Sequence, residues 1–172
     1  KTTPPSHYIL SDEKYPVAFA YAGQDIPVVE LVVNDGTSIS NELIYGEIHG
    51  LKKDEDGSAL AGATFGLFTT DGTEPILTAF SAADGSFSFT GVPYGKYVVR
   101  EIAAPEGYVT DDTPYAVKID ADGAVVEIEA VNTRIRGSVQ LTKVDRDYPD
   151  HYLTGAEFEV YRDGELVVTL EE

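Results

Sequence analysis

The chain has 172 residues, 42% hydrophobic and 10% aromatic, which is enough for a packed core and unlike a disordered tail. Its 30 acidic against 12 basic residues give a formal charge of −18, a field that repels phosphate backbones and anionic lipid and argues against nucleic-acid or membrane-surface roles. Cysteine is absent, so thiol catalysis and cysteine-ligated metals are excluded, and a small β-protein without disulfides must find its staple elsewhere or do without.

The predicted elements are short strands, rich in β-branched and aromatic residues and mostly alternating: Glu47–Lys53, Ala63–Thr69, Ile76–Ser81, Ser86–Thr90, Lys96–Ile102, Tyr115–Ile119 and Val125–Asn132. Turn signals separate them at Asp56-Gly57, Asp71-Gly72, Asp84-Gly85, Pro93-Tyr-Gly95, Pro105-Glu-Gly107 and Asp122-Gly123. One turn of helix at Ser81–Ala83 is the only helical expectation. Seven strands at this spacing predict an all-β, seven-stranded Ig-like or prealbumin-like sandwich. No apolar run approaches the ~20 residues that span a bilayer.

The chain also repeats itself. Gly46 to Lys52 has the spacing of Gly137 to Lys143, and Asn41 and Asn132 share the same offset of 91. Leu60-Ala-Gly-Ala-Thr-Phe matches Leu153-Thr-Gly-Ala-Glu-Phe, and Pro5 and Tyr8 echo Pro105 and Tyr108. A unit of about 90 residues is a single-domain size. The expected organisation is a complete repeat at 46–136, the C-terminal part of a preceding repeat at 1–45 with an insertion within Tyr15–Ile39, and the N-terminal part of a following repeat at 137–172. Beginning at Lys1 without methionine, the chain reads as an excised piece of something longer.

Side chains in a strand alternate between faces, and three core-directed rows end in polar residues. Ile48, Gly50 and Lys52 share a face, as do Tyr97, Val99 and Glu101, and Val126, Ile128, Ala130 and Asn132; Val139, Leu141 and Lys143 repeat the first parity. Lys53 points the other way with His49 and Leu51. A lysine directed into a β-core is unfavourable unless paired or neutralised. On parity alone the trio fits an ordinary buried lysine–glutamate pair with a hydrogen-bonded asparagine, kept for register.

Three stretches carry a resemblance: Gly46-Glu-Ile-His-Gly-Leu-Lys52, the Glu-x-x-Ala-Pro-x-Gly-Tyr element Glu101–Tyr108, and Val125-Val-Glu-Ile-Glu-Ala-Val-Asn132. Together, and in this order, they resemble the Cna protein B-type (SpaA-like) domains of Gram-positive pili and surface adhesins. The resemblance implies that Lys52 and Asn132 condense into an isopeptide bond and that Glu101 promotes the reaction. Burial lowers a lysine pKa and raises that of a glutamate. A neutral amine can then attack the amide carbon, while a protonated Glu101 hydrogen-bonds the amide oxygen and shuttles a proton to departing ammonia. The resemblance further implies an extracellular, cell-wall-anchored Gram-positive parent and neighbouring repeats as partners. The product is a stapled stalk or pilin-type repeat, not an enzyme.

Other readings stand beside this one. The same sandwich could hold a host protein or glycan through loops Asp71–Glu74 or Glu106–Thr113, with Tyr94 and Tyr108 as aromatic candidates, or act as a transthyretin-like accessory domain. The two flanks could complement one another between chains, bringing Lys143 and Asn41 into a second composite crosslink, although Lys1 stands where its promoting glutamate should be. Asp54-Glu-Asp-Gly57 and Asp145-Arg-Asp147 lack the spacing of an EF-hand and read as acidic turns. His7, His49 and His151 have no metal-ligand spacing. No cofactor and no metal are expected.

Overall fold

The computed structural model describes residues 3–18, 20, 23–25 and 30–170, in two compact units, Lys1–Ile135 and Arg136–Glu172. In the first unit seven strands follow one another: β1 (Tyr45–Asp54), β2 (Thr64–Thr69), β3 (Leu77–Phe80), β4 (Ser86–Pro93), β5 (Gly95–Ala103), β6 (Tyr115–Ile119) and β7 (Ala124–Asn132). They form two sheets, β4-β1-β7 and β3-β2-β5-β6, the sandwich predicted from strand spacing. The helical turn expected at 81–83 is instead a tight backbone turn in which Gly85 N–H donates to Ala82 O (2.9 Å). Its glycine is needed, because φ is +79° and a Cβ there would lie 2.3 Å from Lys52 O.

The core lies between the sheets. Ile48, Phe87, Phe89 and Val92 from one sheet meet Phe65, Leu67, Val99, Val117 and Ile119 from the other, all buried. Phe65 and Phe87 stack across the interface with centroids 3.8 Å apart, a large apolar contact with preferred geometry. Gly50 makes room for it: a Cβ there would lie 2.1 Å from the Phe87 ring. Outward positions alternate with these, as the half-solvated faces of an antiparallel sheet require.

One pairing is unlike the others. Strand β1 runs antiparallel to β4 but parallel to β7, in register from Gly46↔Ala124 to Asp54↔Asn132. The first and last strands of the sandwich are therefore neighbours, with their C-terminal ends at the same edge.

Before β1, the described residues hold one isolated bridge, Tyr8↔Leu43, and a 3₁₀ turn at Asn34–Gly36. In the second unit, β8 (Phe158–Arg162) and β9 (Glu165–Leu170) form a hairpin whose two-residue turn, Asp163-Gly164, has φ of +51° and +88°, the conformation that suits strand twist. Residues 137–143, which match the spacing of Gly46 to Lys52, form no ladder, and an isolated bridge, Val144↔Tyr152, follows them. In the first unit β1 is held between β4 and β7, and no described strand of the second unit plays either part. Among the described residues no helix is long and apolar enough to cross a membrane.

Candidate functional site: a buried lysine, glutamate and asparagine

The three sequence-predicted residues meet in the interior. Lys52, near the end of β1, and Asn132, the last residue of β7, are both 0% exposed, and Glu101 on β5 faces them from the other sheet at 6%. Lys52 pairs in register with Ala130, so Asn132 is its diagonal neighbour on the same core-directed face. Lys52 Nζ lies 3.3 Å from Glu101 Oε1 and 5.7 Å from the centroid of the Phe65 ring, a favourable placement for a cation over an aromatic face. Lys53 leaves the core as its parity predicts, pairing with Glu129 at 2.6 Å on the surface.

The hydrogen bonding is lopsided. Glu101 Oε2 accepts from Asn132 Nδ2 (2.7 Å) and from Asp111 N–H (2.6 Å), while the second N–H of the carboxamide goes to Val109 O. Lys52 Nζ, Glu101 Oε1 and Asn132 Oδ1 are buried without any hydrogen bond. Leaving such atoms without hydrogen bonds is costly, and the ionic contact of Lys52 Nζ with Glu101 Oε1 offsets this for two of them. This differs from the expected contact of Glu101 with the amide oxygen. Val109 O can only accept, so it and Glu101 together turn the carboxamide nitrogen-first.

Burial pushes the Lys52 pKa below its ordinary value, against the opposing pull of Glu101 and Asp111. Asp111 lies lower than an ordinary carboxyl: burial opposes this, but hydrogen bonds from Thr113 and Tyr115 and the Lys52 charge outweigh it.

Two parts of the site lie outside the sequence reading. One is the backbone of 109–111. The Asp111-x-Thr113 spacing, which makes an Asx turn, was the available signal. The other is a clamp at the edge where β1 and β7 end. Asp54, 5% exposed, accepts from the backbone N–H of Asp56 and Ser58 and pairs with Arg134 at 2.7 Å. Arg134 also reaches Asp56 and lies over the Tyr108 ring. Asp54 shares the parity of Lys52, so the same alternation pointed to it. The acidic turn thus closes on an arginine. Among the described residues no His, Cys, Asp and Glu cluster could hold a metal.

The loop tyrosines are engaged. Tyr94 stacks on His7 at 4.3 Å, and Tyr108 lies under Arg134. Asn41 and Lys143 are exposed, each in its own unit, and Lys1 lies outside the described residues.

The flanks share local hydrogen bonding with the sandwich. His7 O accepts from Ile44 N–H and Glu42 O from Ile9 N–H, as Gly107 O accepts from Ile135 and Thr133 O from Val109. His7 even adopts φ +80°, against +86° at Gly107. Lys143 O accepts from Leu153 N–H as Lys52 O does from Leu60, and Asp145 Oδ1 accepts from Asp147 N–H as Asp54 Oδ1 does from Asp56.

A sandwich closed by a parallel first and last strand, with lysine, glutamate and asparagine buried at their common edge, defines a class of domain. The family model for the SpaA prealbumin-like fold domain matches residues 46–134, just over half of the chain, and the chain belongs to that family. Among solved structures it is similar to the Bacillus anthracis TIE protein, with 24% identity and a TM-score of 0.74 over 98% of this chain and 30% of that one. The chain therefore spans under a third of that protein. It also matches BcpA, the major pilin subunit of Bacillus cereus (31% identity, TM-score 0.45, 51% of this chain and 28% of that one). A third match is GBS52, the minor pilin of Streptococcus agalactiae (23%, 0.49, 72% and 61%). No curated protein matches.

Proposed function

We propose that this chain is a structural, pilin-type or stalk segment of a Gram-positive surface protein, and that its middle domain is stapled by an isopeptide bond between Lys52 and Asn132, with Glu101 assisting. The observation that carries the reading is the convergence of three buried polar atoms that make no hydrogen bond, Lys52 Nζ, Glu101 Oε1 and Asn132 Oδ1, the first two in ionic contact at 3.3 Å. A buried pair kept only for register has no reason to leave the carboxamide oxygen beside it without a hydrogen-bond donor.

The chemistry follows from the two oxygens of Glu101. Oε1, facing the amine, takes one proton from the Lys52 ammonium. The freed lone pair attacks the side-chain carbonyl carbon of Asn132. The Glu101 carboxyl rotates and returns that proton to Nδ2, which it already faces; the carbonyl re-forms, the old C–N bond breaks, and ammonia leaves. A second Nζ proton passes to Glu101, leaving one N–H on the new amide and a neutral glutamic acid. Fixed proximity supplies the effective molarity that amide exchange in water lacks, and the protein turns over once.

The link joins the first strand to the last. Tension arriving along β1 then crosses to β7 without passing through the intervening strands. Residues 1–45 and 137–172 are read as the C-terminal part of a preceding repeat and the N-terminal part of a following one, on the strength of their matching hydrogen bonds. Asn41 and Lys143 are read as the corresponding reactive residues of those repeats.

Intact mass tests the proposal. The chain should be lighter than its sequence by one ammonia, and Lys52→Ala, Glu101→Ala or Asn132→Ala should each restore the full mass. A wild-type chain of full mass sinks the bond. For the domain reading, a chain cut to 46–135 should keep both the ammonia loss and the melting temperature; losing both would refute it.

A further inference from the structure

Residues 104–114 link β5 to β6, and two of their backbone groups touch the buried trio. Val109 O accepts one N–H of the Asn132 carboxamide, and Asp111 N–H donates to Glu101 Oε2 at 2.6 Å. At one end this strap is tied to the chain just after β7, where Val109 N–H donates to Thr133 O at 2.9 Å. At the other it is tied by the Asp111 side chain, whose Oδ1 takes the N–H and hydroxyl of Thr113 and whose Oδ2 takes the Tyr115 hydroxyl at 2.8 Å. Tyr115 is half-buried on β6 and packs against the core, so the hydroxyl is a fixed anchor.

A backbone carbonyl has no proton to give, so whatever faces Val109 O from position 132 must be a donor. Carboxamide nitrogen meets this demand and that of Glu101 with its two N–H groups. A carboxylate would set oxygen against two acceptors at once. Resting on the crosslink reading, we propose that the 109–111 strap, pinned by the Asp111–Tyr115 hydrogen bond, presents the Asn132 nitrogen to Glu101 as leaving group and makes position 132 selective for a carboxamide over a carboxylate. Asp111 and Tyr115 are positioning residues: they touch no reacting atom.

The test is the rate of condensation in the full chain made by cell-free translation, quenched at timed intervals and weighed intact. Tyr115→Phe removes one hydroxyl and leaves the ring. It should slow ammonia loss about tenfold, the rate equivalent of one buried hydrogen bond. Asn132→Asp should lose no water at pH 7 and begin to condense only toward about pH 5. There the introduced carboxyl, facing Glu101 from β5, Lys52 from β1 and Asp111 from the strap, can hold a proton and donate it. Fold integrity is checked separately by melting Tyr115→Phe in a Lys52→Ala background, where no crosslink can form; a loss of a few degrees is compatible with positioning.

Ammonia loss at the wild-type rate in Tyr115→Phe overturns the proposal, as does rapid water loss from Asn132→Asp at pH 7. So does a slowed rate accompanied by collapse of the Lys52→Ala, Tyr115→Phe protein, which assigns Tyr115 to the fold alone. A wild-type chain that never loses ammonia refutes the crosslink itself, a result distinct from these.

Discussion

Replacing Lys52 by methionine and Glu101 by glutamine together separates a staple from an ion pair. Removing one member of a buried pair strands the other and destabilises the protein whether or not a bond exists, so single variants are ambiguous. The double variant keeps the volume, removes both charges, and leaves a glutamine oxygen able to accept from Asp111 N–H and Asn132 Nδ2. If Lys52 and Glu101 are only an ion pair, neutral replacements should be near-neutral or stabilising. If Lys52 is bonded to Asn132, the variant loses a link closing about 80 residues, worth about 4.5 kcal/mol in the chain-entropy model. For a domain of this size that is a fall in Tm of about 20–30 °C. Calorimetry alongside intact mass reads both quantities on one sample. A double variant that melts at or above the wild-type temperature would refute the reasoning.

Further expectations follow from other parts of the molecule. In Asn132→Ala, Lys52 stays an unlinked amine whose folded pKa is depressed below its ordinary 10.5 by burial. Between the two values the unfolded chain holds more protons, so stability should climb as pH rises toward 10.5. Urea titrations across that range should show a slope absent from the crosslinked wild type, and a flat profile would contradict the assigned direction. Gly50→Ala drives a methyl into the Phe87 ring and should cost about 1–3 kcal/mol by denaturant titration; an unchanged midpoint would mean the Phe65–Phe87 stack gives way freely. Arg134→Ala strips the buried Asp54 of its counter-charge and should lower stability by about 1–3 kcal/mol, more at low than at high salt; no loss would make the clamp ornamental.

Much of this was legible because strands alternate. Parity placed Lys52, Glu101 and Asn132 on core-facing rows and turned Lys53 outward, and the turn dipeptides bounded each strand to within a few residues. The parallel seating of β1 beside β7 was not legible, because alternation says which face a residue takes and nothing about which strand lies next to it. The Val109 carbonyl and the Asp111 N–H were hidden for a different reason: backbone groups exist at every position, and only the tertiary path aims two of them at one carboxamide. Asp54 could have been read from its parity with Lys52, but four acidic-turn residues in a row looked like solvent. Its partner Arg134 lies 80 positions away, with no local pattern to announce it. The flanks mark the limit of repeat reasoning. Lys143 keeps the turn bonding of Lys52 without forming its ladder, since a strand's identity depends on neighbours as well as on its own residues.

The parallel register of β1 and β7 also decides how such domains can be assembled. A chain that comes in at Tyr45 and goes out past Asn132 travels the same way along both strands, so it arrives at one pole and departs from the other. Antiparallel terminal strands would have put both doors on the same side and made each domain a pendant on the thread. Here the domain is threaded through its length, and its nine-residue strand carries the chain forward by roughly 30 Å.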